Sequence, residues 1–264
     1  MTSAFNILHV GDMAGVAAVL ANEANKMGYH SHVIQLDTID TLHIGDYYHN
    51  TTYAKSQSEM RAYLVQMIDL YDHIVVHDLI DFAEELDGTA MSFVFHGNML
   101  RSDPKRMKRV ENISTLENIF VTTDDLLKYS KNAELLVRPI DTKLFKPQKI
   151  TSDEAFTMIS QRYLSVLQKY LEEFDIDFIV RDNYVVQYKD MPDLFKQYGV
   201  YVDVKYQNCH PPKIIQNDTL SLIGLQALAC GLTVYNPIMK EFNGLPKAHE
   251  AKRATKEFIR ILKE

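Results

Sequence analysis

Residues 5–36 read FNILHVGDMAGVAAVLANEANKMGYHSHVIQL. The run FNILHVGD is short, apolar and ends in a glycine, the pattern of a strand buried on both faces. In the segment that follows, Val16, Val19, Leu20 and Met27 fall on one helical face. Gly28 then stands where a helix end needs a residue that tolerates positive φ. SHVIQL is a second apolar run. Strand, helix and strand within this length make the βαβ unit of a parallel sheet.

Working outward, Ser56 and Glu59 have the spacing of a capping box, and Met60, Tyr63, Leu64, Met67, Ile68 and Tyr71 form a helical stripe behind them. DHIVVHD (72–78) and MSFVFHG (91–97) are two further buried strands, each ending in a histidine. NIFVTT (118–123) is another, with Thr123 placed to cap a helix over DDLLKY, and LLVRPIDTKLFKP (135–147) gives a strand and a turn. A doubly wound sheet over residues 1–148 follows. From Thr151 to Phe174 apolar residues keep helical spacing behind a Thr151–Glu154 capping pair, which predicts one long helix leading into a second, smaller lobe over 149–247. Strands are expected there at 176–182, 199–206 and 232–237, and helices at 192–197 and near 219–230. The tail, 248–264, reads as an amphipathic helix packed across a lobe. The expected fold class is α/β, with two Rossmann-like lobes, each a parallel sheet, around a cleft.

Composition narrows the function. Among 264 residues, 28 basic and 35 acidic side chains leave a net charge of −7, which disfavours a general nucleic-acid binder. The two cysteines, Cys209 and Cys230, supply neither a disulfide framework nor a zinc spacing, and Cys230 sits in an apolar run. The opening residues lack a basic region followed by a long apolar stretch, and no segment approaches bilayer-spanning length. The expectation is a soluble, cytoplasmic protein in a reducing compartment.

Ligands of parallel sheets bind beyond the carboxyl ends of the strands. That rule selects Gly11, Asp12 and Gly15, then His77–Asp78 and His96–Gly97, and in the second lobe Arg181 and the stretch from Tyr206 to Thr219. Gly11–Gly15 reads either as a phosphate-approach loop or, more commonly, as a plain tight turn. His96 can donate or accept a hydrogen bond near neutral pH, and a satisfied structural histidine is the equal alternative. The run Arg101, Lys105, Arg106, Lys108 and Arg109 is either a solvated helix face or a seat for a phosphorylated acceptor or an anionic membrane surface. In NDTLSLIGLQALACGLTV (217–234) a capping-type start precedes an apolar helix that stops at Gly231, and such a helix start suits a diphosphate.

Three stretches resemble retaining GT-B glycosyltransferases of the large group that includes glycogen and sucrose synthases. They are residues 6–34, residues 119–147 with the Asp141, Phe145 and Pro147 signature, and residues 216–237. The resemblance implies an acceptor-binding first lobe, a donor-binding second lobe, and transfer of a sugar from a nucleotide-sugar with retention, without a cofactor or a required metal. It implies that His96 lies near the reacting sugar and that Asp218 stands at the first of two acidic positions, holding donor-sugar hydroxyls. Gln226 stands at the second, holding the ribose. Thr219 and Ser221 would face the diphosphate, and Gly15 would approach it from its loop. The family's Arg/Lys pair follows the first strand of the second lobe. The predicted long helix replaces that strand here, so Arg162 and Lys169 fall at the wrong spacing and Arg181 and Lys213 are the substitutes. The implied acceptor is a glycan, a lipid-linked sugar or another hydroxyl-bearing polymer, reached in the cytoplasm or at the membrane through Arg101–Arg109. Alternatives are an inactive nucleotide-sugar-binding scaffold and a sugar-nucleotide epimerase.

Overall fold

The run at 5–10 forms strand β1 (Asn6–Val10), and because both its faces are buried it lies in the interior of a parallel sheet. Helix α1 (Val16–Lys26) returns the chain to β2 (His30–Leu36), with Gly28 at φ +88° taking the left-handed turn between them. The computed structural model describes residues 5–12, 14–40, 42–159, 177–180, 186–207, 213–215 and 217–264. It divides into a first unit, Met1–Pro139 with Ala248–Glu264, and a second unit, Ile140–Lys247.

The first unit adds α2 (Ile44–Tyr48), β3 (Thr51–Ala54), α3 (Gln57–Met67), β4 (His73–His77), α4 (Ile80–Glu85), β5 (Met91–Phe95), α5 (Asn98–Ser102), α6 (Lys105–Glu111), β6 (Leu116–Val121) and β7 (Ala133–Leu135). Its seven strands run parallel in the order β3-β2-β1-β4-β5-β6-β7. The order reverses between β1 and β4, so the crevice that parallel sheets offer to ligands opens at the ends of those two strands. Apolar side chains pack on both faces. Leu8, Val10, Ile74, Val76, Phe93 and Phe95 form one core, while Ile7, Val75, Val94 and Phe120 form the other with α1 and the C-terminal helix Ala251–Leu262. That helix buries Phe258, Ile259 and Leu262, as the amphipathic tail predicts.

The local caps differ in part from expectation. Ser56 accepts the Glu59 N–H at 3.2 Å, but Glu59 reaches back to the Lys55 N–H rather than to that of Ser56. Thr123 makes no side-chain cap on the 3-10 turn Asp124–Tyr129; its hydroxyl accepts from Arg101 instead, at 2.7 Å.

The second unit corrects the predicted long helix. Residues Ala155–Ile159 are strand β8, at the interior of a sheet ordered β14-β13-β10-β8-β9. Its other strands are β9 (Asp177–Val180), β10 (Val200–Val202), β13 (Thr233–Tyr235) and the antiparallel edge β14 (Glu241–Phe242). Thr151 does not cap a helix, for its hydroxyl donates to the Lys196 carbonyl and Glu154 N–H turns to Ser152. Phe156, Thr157, Met158 and Ile159 are all buried, and a strand covered on both faces gives an unbroken apolar run that periodicity cannot separate from a helix. The rest of the predicted helix lies outside the described residues. A two-stranded ribbon, β11 (Tyr206–Gln207) with β12 (Lys213–Ile214), and the helix Leu222–Ala229 complete the part that concerns function. No described helix is long and apolar enough to cross a membrane.

Candidate functional site

At the switch point of the first sheet, three histidines stand in a row. His9 lies opposite Val75 in the β1–β4 register, and His77 is two residues further along β4. His77 lies opposite Val94, and His96 is two residues beyond that, just past β5. Equal steps of two keep all three on one face of the sheet. His9 Nδ1 is 3.0 Å from His77 Nε2, and His77 Nδ1 is 2.9 Å from His96 Nε2. The His77 and His96 rings stack at 5.2 Å, and His9 stacks on Phe258 of the C-terminal helix at 6.0 Å. His9 and His77 are fully buried, whereas His96 keeps partial exposure.

Burial lowers the pKa of His9 to about 3, helped by His73 and His32, and that of His96 to about 4, helped by the positive charge of Arg138. His77 lies well below the ordinary range for the same reason, with His96 and His9 adding to it. All three imidazoles are therefore neutral at physiological pH, and His96 acts as a hydrogen-bonding group rather than a cation. Asp78 holds its backbone: the His96 N–H donates to Asp78 Oδ1 at 3.1 Å, and Asp78 sits in the left-handed region at φ +57°. Burial raises the Asp78 carboxyl to about 7 against the His96 N–H and the Arg106 charge. Asp78 also lines a cavity of about 260 Å³ with Gln57, Leu79, Phe82, Met99 and Arg106, at the carboxyl end of β4.

The glycine loop is filled from within. Asp12 Oδ2 accepts the Ala18 N–H at 2.8 Å, so a carboxyl group of the chain already occupies the anion position at the start of α1. Burial raises this carboxyl to about 7, opposed by N–H bonds from Ala18, Ala17 and Ala14. Gly15 has φ +75°, and a Cβ there would sit 2.4 Å from Ile44 Cδ1. Backbone conformation and the approach of Ile44 account for this glycine, in line with the tight-turn reading.

The arginines of the basic run are paired with carboxylates, Arg101 below the surface and Arg106 and Arg109 on it. Arg101 makes a two-pronged pair with Asp125 at 2.7 and 2.8 Å, and Gly97 makes room for it, since a Cβ there would lie 2.5 Å from Arg101 Nη1. Arg109 pairs with Asp81 and Glu84, and Arg106 lies 3.5 Å from Asp103. These pairings reduce the net charge that the run can offer to a surface.

In the second unit, Ser221 caps the helix Leu222–Ala229 by accepting the Gly224 N–H at 3.1 Å. Asp203, at the end of β10, accepts the Ser221 N–H at 2.5 Å and the Ser221 hydroxyl. Gly224 permits this approach, because a Cβ there would lie 3.0 Å from the Asp203 carboxylate. Beside it, Lys205 Nζ donates to Asn217 Oδ1 and Thr219 Oγ1 at 2.7 and 2.8 Å. Asn236, buried, ties the same loop through the Asn217 carbonyl. Asp218 is exposed and pairs with Lys240 at 3.3 Å. Gln226 is buried in the body of the helix, away from its first turn. The structure thus groups Asp218, Thr219 and Ser221 at one helix start and sets Gln226 apart from it. Lys213 belongs to β12, and Arg162, Lys169, Arg181 and Cys209 lie outside the described residues. Cys230 is a free buried thiol, pushed up to about 12 by burial.

His9, Asp203 and Lys205 did not emerge from the sequence. His9 lies inside a strand rather than at its end, and Asp203 reads as strand interior in VYVDV. The strand-end rule reaches Asp203 only once β10 is seen to stop at Val202.

No protein-family model matches the chain, and no curated protein is similar to it in sequence. Solved structures are similar in fold. HepE of Anabaena, in complex with UDP, superposes with a TM-score of 0.55 at 11% identity, covering 98% of this chain and 90% of that one. A glycosyltransferase from Rickettsia africae gives 0.54 at 10% identity, with 99% and 89% covered. AviGT4, a glycosyltransferase of avilamycin A biosynthesis, gives 0.52 at 11%, with 98% and 92% covered. With two Rossmann-like sheets and these neighbours across nearly its whole length, the chain has the GT-B glycosyltransferase fold.

Proposed function

We propose that the protein transfers a sugar from a nucleotide-sugar to a hydroxyl acceptor, with retention at the anomeric carbon. The observation that carries this reading is His96. It is a neutral, partly exposed imidazole at the end of β5, one strand from the switch point of the first sheet, held by the Asp78 carboxyl through its backbone and by His77 through its ring. A polar group fixed in this way can hydrogen-bond a sugar hydroxyl as charge develops in the transition state without reorganising. The adjacent cavity beside Asp78 is the place for the acceptor. Asp218 and Thr219, at the exposed start of the Leu222–Ala229 helix, are the groups for the donor sugar and its phosphates, and UDP bound to HepE makes a uridine donor the first to test. The presence of β8 supports the reading further, because it restores the strand after which the resemblance expects the diphosphate-neutralising pair.

One observation favours a second reading, a nucleotide-sugar binder without turnover. The Asp203 carboxylate occupies the helix start where a diphosphate would bind, and like charges oppose each other there. A thermal-shift screen against UDP-, GDP-, ADP- and CDP-sugars identifies the donor, since a ligand of the native state raises its stability. Donor turnover with an acceptor panel then separates the readings. Binding with transfer supports the enzyme; binding without hydrolysis or transfer supports the binder; no stabilisation by any nucleotide-sugar rejects both.

A further inference from the structure

The three histidines are linked through alternating ring nitrogens: His9 Nδ1 to His77 Nε2, then His77 Nδ1 to His96 Nε2. A neutral imidazole carries one N–H and one acceptor nitrogen. If His77 Nδ1 donates to His96, then His77 Nε2 must accept from His9 Nδ1, and all three rings are protonated on Nδ1. If the direction is reversed, all three are protonated on Nε2. A mixed set would face N–H against N–H or lone pair against lone pair at a buried contact. The far end of the row is closed. His9 Nε2 is buried and has no hydrogen-bond partner among the described residues, and the ring is backed by Phe258. Reversing the row would require a proton to arrive at, or leave, that nitrogen in an apolar core.

We propose that His9 and His77 are positioning residues that lock His96 in one neutral tautomer, shared by all three rings, so that its remaining nitrogen, Nδ1, presents a single fixed hydrogen-bonding character to the ligand. Neither His9 nor His77 touches the ligand; they act through His96. The strongly lowered pKa values of the row fit a chain of neutral rings, since an imidazolium at the centre would relax the constraint. The value of this lock for sugar transfer rests on the function proposed above, but the lock itself does not.

The test is nitrogen-15 NMR of histidine-labelled full-length protein at neutral pH, with ring signals assigned by single substitutions. In the wild type, His9, His77 and His96 should each show one protonated and one bare nitrogen, with the same atom protonated in all three. His77→Phe keeps an aromatic ring in the buried site and breaks both links, so His96 should shift to the averaged signals of two exchanging tautomers while His249 is unmoved. His9→Phe, a second variant should the first fail to fold, should loosen His96 less and in the same direction. In transfer assays both variants should lose kcat, about tenfold for His77→Phe, at unchanged donor KM. Mixed or averaged tautomers in the wild type, or a His96 still locked in a folded His77→Phe protein, would overturn the proposal. A shared tautomer in a protein that transfers no sugar would leave the lock standing and remove only the catalytic reading.

Discussion

The two helices that begin near candidate ligand positions, α1 in the first unit and Leu222–Ala229 in the second, both start against an aspartate, but the two aspartates are held differently. Asp12 belongs to the turn that it caps, takes N–H bonds from its own helix, and is raised by burial to about 7. Asp203 comes from another element, the end of β10, and reaches its helix through Ser221, which already caps itself onto Gly224. Asp12 is thus part of the fold of its loop, and removing it would unmake the turn. Asp203 instead holds Ser221 from outside the helix and shapes no turn of its own. The difference teaches where ligand chemistry resides in each unit: at the strand ends, on His96, in the first, and at a helix start in the second.

The sharpest way to break this comparison is His96→Ala. Transfer should fall by about a hundredfold, as for loss of one preorganised hydrogen-bonding group, while donor affinity measured by calorimetry stays within about twofold. An equal loss of both would move His96 into donor binding. Next in size is Gly15→Ala, which forces a Cβ against Ile44 at positive φ. It should cost about 2 kcal/mol in denaturant unfolding and leave UDP affinity unchanged; weaker UDP binding at intact stability would return the glycine loop to the donor site. Asp203→Asn keeps an acceptor for the Ser221 N–H and removes the charge. UDP affinity should rise about tenfold, or about 1.4 kcal/mol, and no change would show that the diphosphate does not use this helix start.

The last test concerns pH. His9, His73, His77 and His96 have lowered folded pKa values, so their contribution is present above about 6.5 and is lost as pH falls towards about 4. Asp12 and Asp78 are raised to about 7, so their contribution is full below about 4 and is lost as pH rises through 7. The two sets oppose each other between these limits. Asp12→Asn should therefore make stability climb more steeply from pH 4.5 to 6.5, by about 1.4 kcal/mol per pH unit. Parallel profiles for the two proteins would mean that Asp12 is ionised in the folded state.

Much of the first unit was legible in sequence, because β1, β4, β5 and β6 are short apolar runs closed by Gly, His or Thr, whereas β3, the short polar run TTYA, escapes that reading. The unit's ligand end followed from topology alone, which is why His77 and His96 could be named. The histidine row could not, since linking His9 to His77 requires the β1–β4 register. In the second unit the residues around Phe156 misled: a strand buried on both faces has no polar alternation to betray it. Asp203 and Ser221 are eighteen residues apart, and only the parallel pairing of β10 with β13, extended by the Asp203 N–H to the Tyr235 carbonyl, brings them together.

The first unit is discontinuous along the chain, because Ala248–Glu264 returns to it after the whole of the second unit. On the ribosome, where domains form as they emerge, β1 and α1 are made early but wait for Phe258, Ile259 and Leu262 to cover them. Until then His9 has no aromatic ring behind it and its open nitrogen meets water. The histidine row is consequently among the last parts of the molecule to become dry, and a chain released a few residues before Phe258 would carry a nearly complete sheet with an unsealed row.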